Sequence, residues 1–149
     1  MDYGVHLPLM GLGGRPRTLR GLLDYAEAAE DLGFRALSAN DHLRPRPWLD
    51  GPTALAAVLA VTQRMDLVTT VALPVVRGPV PLAKSLAAID LLSGGRLVVG
   101  VGPGSSARYY AAVGVPFEGY GKSAKVSGLP RSDPTGIRTR VFAVRGRCP

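Results

Sequence analysis

The chain has 149 residues, of which 46% are hydrophobic and 19% charged, with a mean hydropathy of +0.15. That composition excludes a disordered chain and supplies one domain with a substantial core. Cys148 is the only cysteine, which excludes a disulfide scaffold, and the lack of an 18-residue apolar run or a basic-then-apolar leader makes a cytoplasmic protein the expectation, with no membrane partner. The formal charge of +7 is not spread evenly: residues 1–118 carry +1 and residues 119–149 carry +6, the latter set against Asp133 alone. The basicity therefore belongs to a tail, and specific nucleic-acid binding is not expected of the body.

Tyr3 to Pro8 reads as a short strand, closed by Pro8 and a glycine-rich turn, Gly11 to Gly14. Thr18 to Leu32 reads as a helix, because Leu19, Leu22, Leu23, Ala26, Ala29 and Leu32 recur at three- and four-residue spacing and share one face. Glu27, Glu30 and Asp31 fall off that stripe; Thr18 is the predicted N-cap and Gly33 the stop. Phe34 to Ala39 reads as a second strand, ending at Asn40-Asp41-His42 and followed by a loop rich in Pro and Arg. Pro52-Thr53 opens a second helix to about Arg64, with Leu55, Val58, Leu59 and Thr62 inward. Asp66 to Leu73 is a third strand, dense in β-branched residues. Pro81 opens a third helix with Leu82, Leu86, Ile89 and Leu92 or Ala83 as its stripe, ended by Gly94-Gly95. Arg96 to Val101 is a fourth strand, and a short helix follows near Ala107 to Val113.

These strands begin near residues 4, 35, 67 and 97, at gaps of 31, 32 and 30 residues. Strand alternating with helix at so even a period predicts βαβ units and a parallel sheet. An open doubly wound sheet and a (β/α)₈ barrel both fit; a complete barrel needs roughly 250 residues.

Several residues invite a chemical reading. Asp41-His42 lies just past the C-terminal end of a strand, where parallel α/β folds build their sites, and a His beside an Asp can move a proton. The bland alternative is a capping Asp with a packed His. Gly102-Pro103-Gly104-Ser105-Ser106-Ala107 formally satisfies the G-x-G-x-x-A loop of a dinucleotide site, but it falls in the fourth unit, Pro103 removes an amide, and no acidic residue follows some twenty positions on. Trp48, the only tryptophan, is either a stacking residue for substrate or cofactor or a loop anchor. His6 reads as a core histidine before a contact residue, and Arg44, Arg46 and Arg77 as solvated loop charges before anion ligands.

Three stretches together carry a family resemblance: Ala26-Glu27-Ala28-Ala29-Glu30-Asp31-Leu32-Gly33-Phe34, Asn40-Asp41-His42-Leu43, and Leu91-Leu92-Ser93-Gly94-Gly95-Arg96-Leu97-Val98-Val99-Gly100-Val101-Gly102-Pro103-Gly104. Over about residues 3–118 the chain resembles the N-terminal half of the luciferase-like monooxygenases, and within them the branch that uses coenzyme F420. The resemblance implies an α/β fold of parallel (β/α) units forming roughly half of a TIM barrel. It implies an oxidoreductase using F420, or alternatively FMN, for hydride transfer or oxygenation of a small organic substrate. It makes His42, with Asp41 in support, the catalytic or cofactor-contacting pair. Thr70 and Val71 would lie on a strand-end bulge with a non-proline cis peptide that supports the cofactor, and Gly102, Gly104 and Ser105 would form part of the cofactor mouth. Trp48 would contact substrate. Family members often carry an acidic residue shortly after that mouth; here Arg108-Tyr109-Tyr110 occupies the stretch. Half a barrel leaves unpaired strand edges, so the resemblance also implies weak or no activity alone and a partner: a second copy, or a separately encoded C-terminal half. A non-catalytic half-barrel and an open-sheet dinucleotide module are the alternatives.

Residues 119–149 do not continue the pattern. No helical stripe follows Glu118, and residues 127–136 hold two Pro and two Gly. The expectation is a disordered or loosely packed basic tail. Gly136 to Val141 and Val144 to Pro149 are encodable by the antisense of tRNA arms, which makes a frameshift near residue 119 one origin for it. A phosphate-binding tail is the rival, but with only Phe142 and Tyr120 it lacks a stacking platform.

Overall fold

The computed structural model describes residues 2–11, 17–43, 48–117 and 140–143. Its elements run β1 (Gly4–His6), α1 (Leu19–Asp31), β2 (Ala36–Ala39), α2 (Gly51–Val58), β3 (Asp66–Ala72), α3 (Pro74–Arg77), α4 (Pro79–Ser93), β4 (Leu97–Val101), α5 (Ala107–Ala112) and β5 (Arg140–Ala143). The strands form one sheet in the order β1-β2-β3-β4-β5, and every pairing is parallel. This is the α/β architecture the period predicts. β5 falls inside the stretch read as tail, and pairs with β4 through the register Val98↔Arg140 to Val101↔Ala143. The rest of residues 119–149 lies outside the described residues.

The register separates the two faces of the sheet. Val5, Leu37, Leu67 and Leu97 align across four strands, and the last three are 0–1% exposed beneath the helices. His6, Ser38, Val68 and Val98 align one residue later and face the other side, where His6 is exposed and the rest are half-buried. A one-residue step exchanges the faces because strand side chains alternate. The main core therefore sits between sheet and helices. α1 contributes Leu22, Ala26 and Ala29, α2 contributes Leu55 and Val58, and α4 contributes Leu82, Leu86 and Ile89. A fully buried leucine such as Leu55 stabilises by about 1.5–3 kcal/mol.

Helix ends follow the local chemistry. Thr18 caps α1 by accepting from the Gly21 N–H at 3.1 Å, and Asp50 caps α2 by accepting from the Thr53 N–H, also at 3.1 Å. Gly94 ends α4 in the left-handed conformation. Three expectations need correction. α2 stops at Val58, not near Arg64, and turns follow. A one-turn helix, α3, precedes α4 where the sequence reading had strand end and loop. Leu19, Leu32 and Leu92 are 65%, 78% and 75% exposed, while Glu30, placed off the stripe, is 7% exposed.

Glu30 is buried because its carboxylate closes the turn before β3. It accepts from the N–H groups of Gln63, Arg64 and Met65 at 2.7–3.0 Å. Burial pushes its pKa up, but the amides of Arg64, Gln63 and Met65 and the charge of Arg64 hold it below the ordinary value. Arg96 braces the same end, donating to the carbonyls of Met65 and Thr62 at 2.8 and 2.9 Å.

Candidate active site

The C-terminal ends of β2, β3 and β4 carry the residues singled out above. β2 runs into Asn40-Asp41-His42-Leu43, β3 into Thr70 to Leu73, and β4 into Gly102 to Ser105. A second, smaller core supports this rim. Leu73, Val76 and Tyr110 are its buried members, with Leu43, Val71 and Tyr109 packed against them. The Tyr110 hydroxyl donates to the Pro103 carbonyl at 2.5 Å and ties α5 to the loop after β4.

His42 sits between two aromatic rings. Trp48 meets it edge-on with centroids 4.6 Å apart at 62°, and Tyr109 meets it with centroids 6.4 Å apart at 70°. The Tyr109 hydroxyl lies 3.4 Å from His42 Nδ1. Trp48 is itself anchored: it bridges Met10 in antiparallel fashion, the Leu49 N–H donates to the Leu9 carbonyl at 2.8 Å, and its ring packs on the main core. Trp48 is thus a loop anchor whose ring also walls His42.

Asp41 does not turn to His42. Its carboxylate is buried and accepts from the Leu73 N–H at 3.1 Å and from Arg77 Nε and Nη2 at 2.6 and 2.5 Å. Arg77 Nη2 also donates to Asp50. One guanidinium thus clamps the residue before His42 to the residue before α2, across the loop that holds Trp48. Arg77 is far from a solvated loop charge. Its bonds to Asp41 push its pKa up, outweighing burial. Burial pushes Asp50 up, but the Thr53 hydroxyl and Arg77 more than offset this and hold it low. Arg44 and Arg46 lie outside the described residues.

β3 carries the bulge and the cis peptide that the resemblance implies. The register shifts between Thr69 and Ala72, and the Thr70–Val71 bond is cis. Thr70 is exposed and Val71 half-buried. Gly102 is buried against Val71, and a Cβ there would come 2.8 Å from Val71 Cγ2, so β4 approaches the bulge only as glycine. Gly104 has φ +78°, and Ser105 is exposed beside it. The loop opens a helix of only six residues, α5, which does not favour the dinucleotide reading. His6 is neither core nor rim. It is exposed on the open face, with Nδ1 2.8 Å from the Ser38 hydroxyl.

The sequence reading missed Tyr109, Asp50 and the role of Arg77. Pro74 at a first helical position with Arg77 in the last turn was a readable signal for α3. Nothing local joins Tyr109 to His42, which are 67 residues apart.

The rim offers apolar and aromatic wall (Val71, Leu43, Trp48), hydrogen-bonding groups at its edge (His42, Thr70, Ser105), and the buried Asn40 Oδ1, which lacks a partner among the described residues. A flat heteroaromatic ring with polar edges matches that set. Arg77 is committed to Asp41 and Asp50 and is not free to meet an anionic tail. Among the described residues no cluster of metal ligands occurs and no helix is long and apolar enough to cross a membrane.

Comparison with known proteins agrees with this fold. The chain is 49% identical over 112 residues to an uncharacterized protein of Mycobacterium tuberculosis (strain ATCC 25618 / H37Rv), a match covering 75% of this chain and 34% of that one. It is 37% identical over 101 residues to the F420-dependent glucose-6-phosphate dehydrogenase of Amycolatopsis mediterranei (strain U-32), covering 64% of this chain and 30% of the relative. Among solved structures it superposes on the coenzyme F420 dependent tetrahydromethanopterin reductase from Methanopyrus kandleri with a TM-score of 0.61 and 26% identity, covering 78% of this chain and 30% of that one. The chain spans about a third of the length of the curated relatives it matches. The family profile described as luciferase-like monooxygenase matches residues 2–124, and the chain belongs to that family.

Proposed function

We propose that this chain carries one wall of an F420-dependent oxidoreductase site, with His42 as the residue that meets the cofactor ring or the substrate. The observation that carries this is the His42 imidazole held edge-on between Trp48 and Tyr109 at the C-terminal rim of a parallel sheet, in a chain whose named relatives include F420-dependent dehydrogenases. F420, when bound, supplies the hydride chemistry. The residues of the chain bind and orient it. Thr70 and Val71 form the shelf beneath the ring, Gly102 lets β4 close on that shelf, and Gly104 and Ser105 edge the mouth. Trp48 excludes water from one side of His42. Asp41 acts through Arg77 as a positioning residue, since its oxygens are already taken.

A second reading has its own support in the open face, where His6 is exposed and Ser38, Val68 and Val98 are only half-buried. On that reading the site is completed by another polypeptide, a second copy or a separately encoded C-terminal half, which brings the charges for the anionic tail.

Trp48, as the only tryptophan, reports directly on the site. Titration of the chain with F420, FMN and NAD, followed by Trp48 emission, is expected to show saturable quenching by F420, weaker in His42→Gln, and none by NAD. Saturation by NAD with no response to F420 would sink the proposal. Quenching by F420 that appears only on adding the C-terminal half of a relative would select the second reading.

A further inference from the structure

We propose that Tyr109 fixes the tautomer of His42: the phenol donates to Nδ1, the ring proton resides on Nε2, and His42 meets its ligand as a hydrogen-bond donor instead of a base. This goes deeper into the site described above and rests on His42 being its contact residue.

The geometry places the Tyr109 hydroxyl 3.4 Å from Nδ1, with both residues half-buried. At neutral pH a phenol keeps its proton. Among the described residues Nδ1 is the one hydrogen-bond partner of the hydroxyl. An imidazole nitrogen is a stronger base than a phenol oxygen, so O–H to N is the favoured direction. A neutral imidazole has one ring hydrogen, and accepting at Nδ1 leaves it on Nε2. Ring rotation is opposed by Trp48 packed at 4.6 Å. Among the described residues the ring's aromatic neighbours are Trp48 and Tyr109, neither of them charged, and its one hydrogen bond is at Nδ1. The group that His42 serves is therefore an acceptor, a carbonyl or anionic edge on a bound ring or substrate. A hydroxyl that must lose its proton to His42 does not fit this tautomer.

The test uses the ligand-free full chain labelled with ¹⁵N-histidine, at about pH 8 where a free imidazole is neutral. The chain has two histidines, so long-range ¹H–¹⁵N correlation gives two ring patterns, assigned with His42→Gln. His6, bonded to Ser38 on the open face, is the internal reference. Wild type is expected to show His42 bare at Nδ1 and protonated at Nε2. Tyr109→Phe is expected to move it to a mixture of tautomers while His6 stays put. A wild-type pattern protonated at Nδ1 overturns the proposal by itself, whether or not the variant folds. An unchanged His42 pattern in a folded Tyr109→Phe also overturns it. Because the spectra need no ligand, a chain that shows the expected patterns yet gives no response to F420 defeats the cofactor reading while upholding the tautomer.

Discussion

The two ends of the sheet are each tied by a buried carboxylate, and the two do different work. At the N-terminal end Glu30 accepts three backbone amides of one turn, a contact between helix end and strand start that involves no loop of the rim. At the C-terminal end Asp41 accepts one amide and a guanidinium, and that guanidinium reaches on to Asp50. The first closes backbone on backbone and is satisfied in place. The second spans the loop that positions His42 and Trp48. In parallel α/β folds the C-terminal face hosts chemistry and the opposite face stability, and here the division is visible in what each carboxylate holds.

Removing Arg77 tests the contrast most severely. Arg77→Ala leaves Asp41, whose side chain is 2% exposed, with no cation. Breaking a buried pair from one side costs about 3–5 kcal/mol. Urea unfolding should show that loss, and the Trp48 emission maximum should shift as the loop loosens. Arg77→Lys should recover only part, since an ammonium cannot serve Asp41 through two nitrogens and Asp50 as well. An Arg77→Ala protein of wild-type stability would show that the clamp holds nothing.

Glu30→Ala should cost less, about 2–3 kcal/mol, by leaving amides of the turn before β3 without an acceptor. It should leave Trp48 emission and the His42 tautomer pattern as they are, because nothing at that end reaches the rim. The pH dependence sharpens this. The pKa of Glu30 is lowered in the folded state, so its contribution is fully present above the ordinary carboxylate range and is lost as pH falls through the folded value. Asp50 follows the same sign. Wild type should therefore lose stability below about pH 4.5, the ordinary value for Glu, and Glu30→Gln should show a shallower decline over that window in urea midpoints taken from pH 7 downward. A steeper decline in the variant would contradict the assigned sign.

The order of β1 to β4 with α1, α2, α4 and α5 was legible because it rests on period and punctuation, whereas α3 and β5 were not read. The regular gaps between strands, Thr18, and Gly94-Gly95 are local signals, and the structure follows them. The rim was legible in part. Asp41-His42 and Gly102-Pro103-Gly104 stand at strand ends, which a single sequence marks. Their partners are set by the fold instead. Asp41 finds Arg77 across 36 residues and His42 finds Tyr109 across 67, distances over which spacing carries no information. Glu30 was misread for the same reason: its place on α1 looks solvent-facing until the turn at Gln63–Met65 arrives beside it.

The smallest effect concerns the leucines that the helical stripe placed inside. Leu32 lies past the end of α1, at its C-cap, and Leu19 in its first turn, and both are largely exposed. The stripe is right in its middle, at Leu22, Ala26 and Ala29, and fails at its ends, at Leu19 and Leu32. Exchanging an exposed leucine for a polar residue removes little buried area, so Leu32→Gln should alter stability by no more than about 0.5 kcal/mol. Leu22→Ala, at 3% exposure on the same helix, should cost about 2–5 kcal/mol. Parallel urea curves for the two variants measure how far the core extends along α1. A large loss at Leu32 would mean that a surface not among the described residues covers this end of α1.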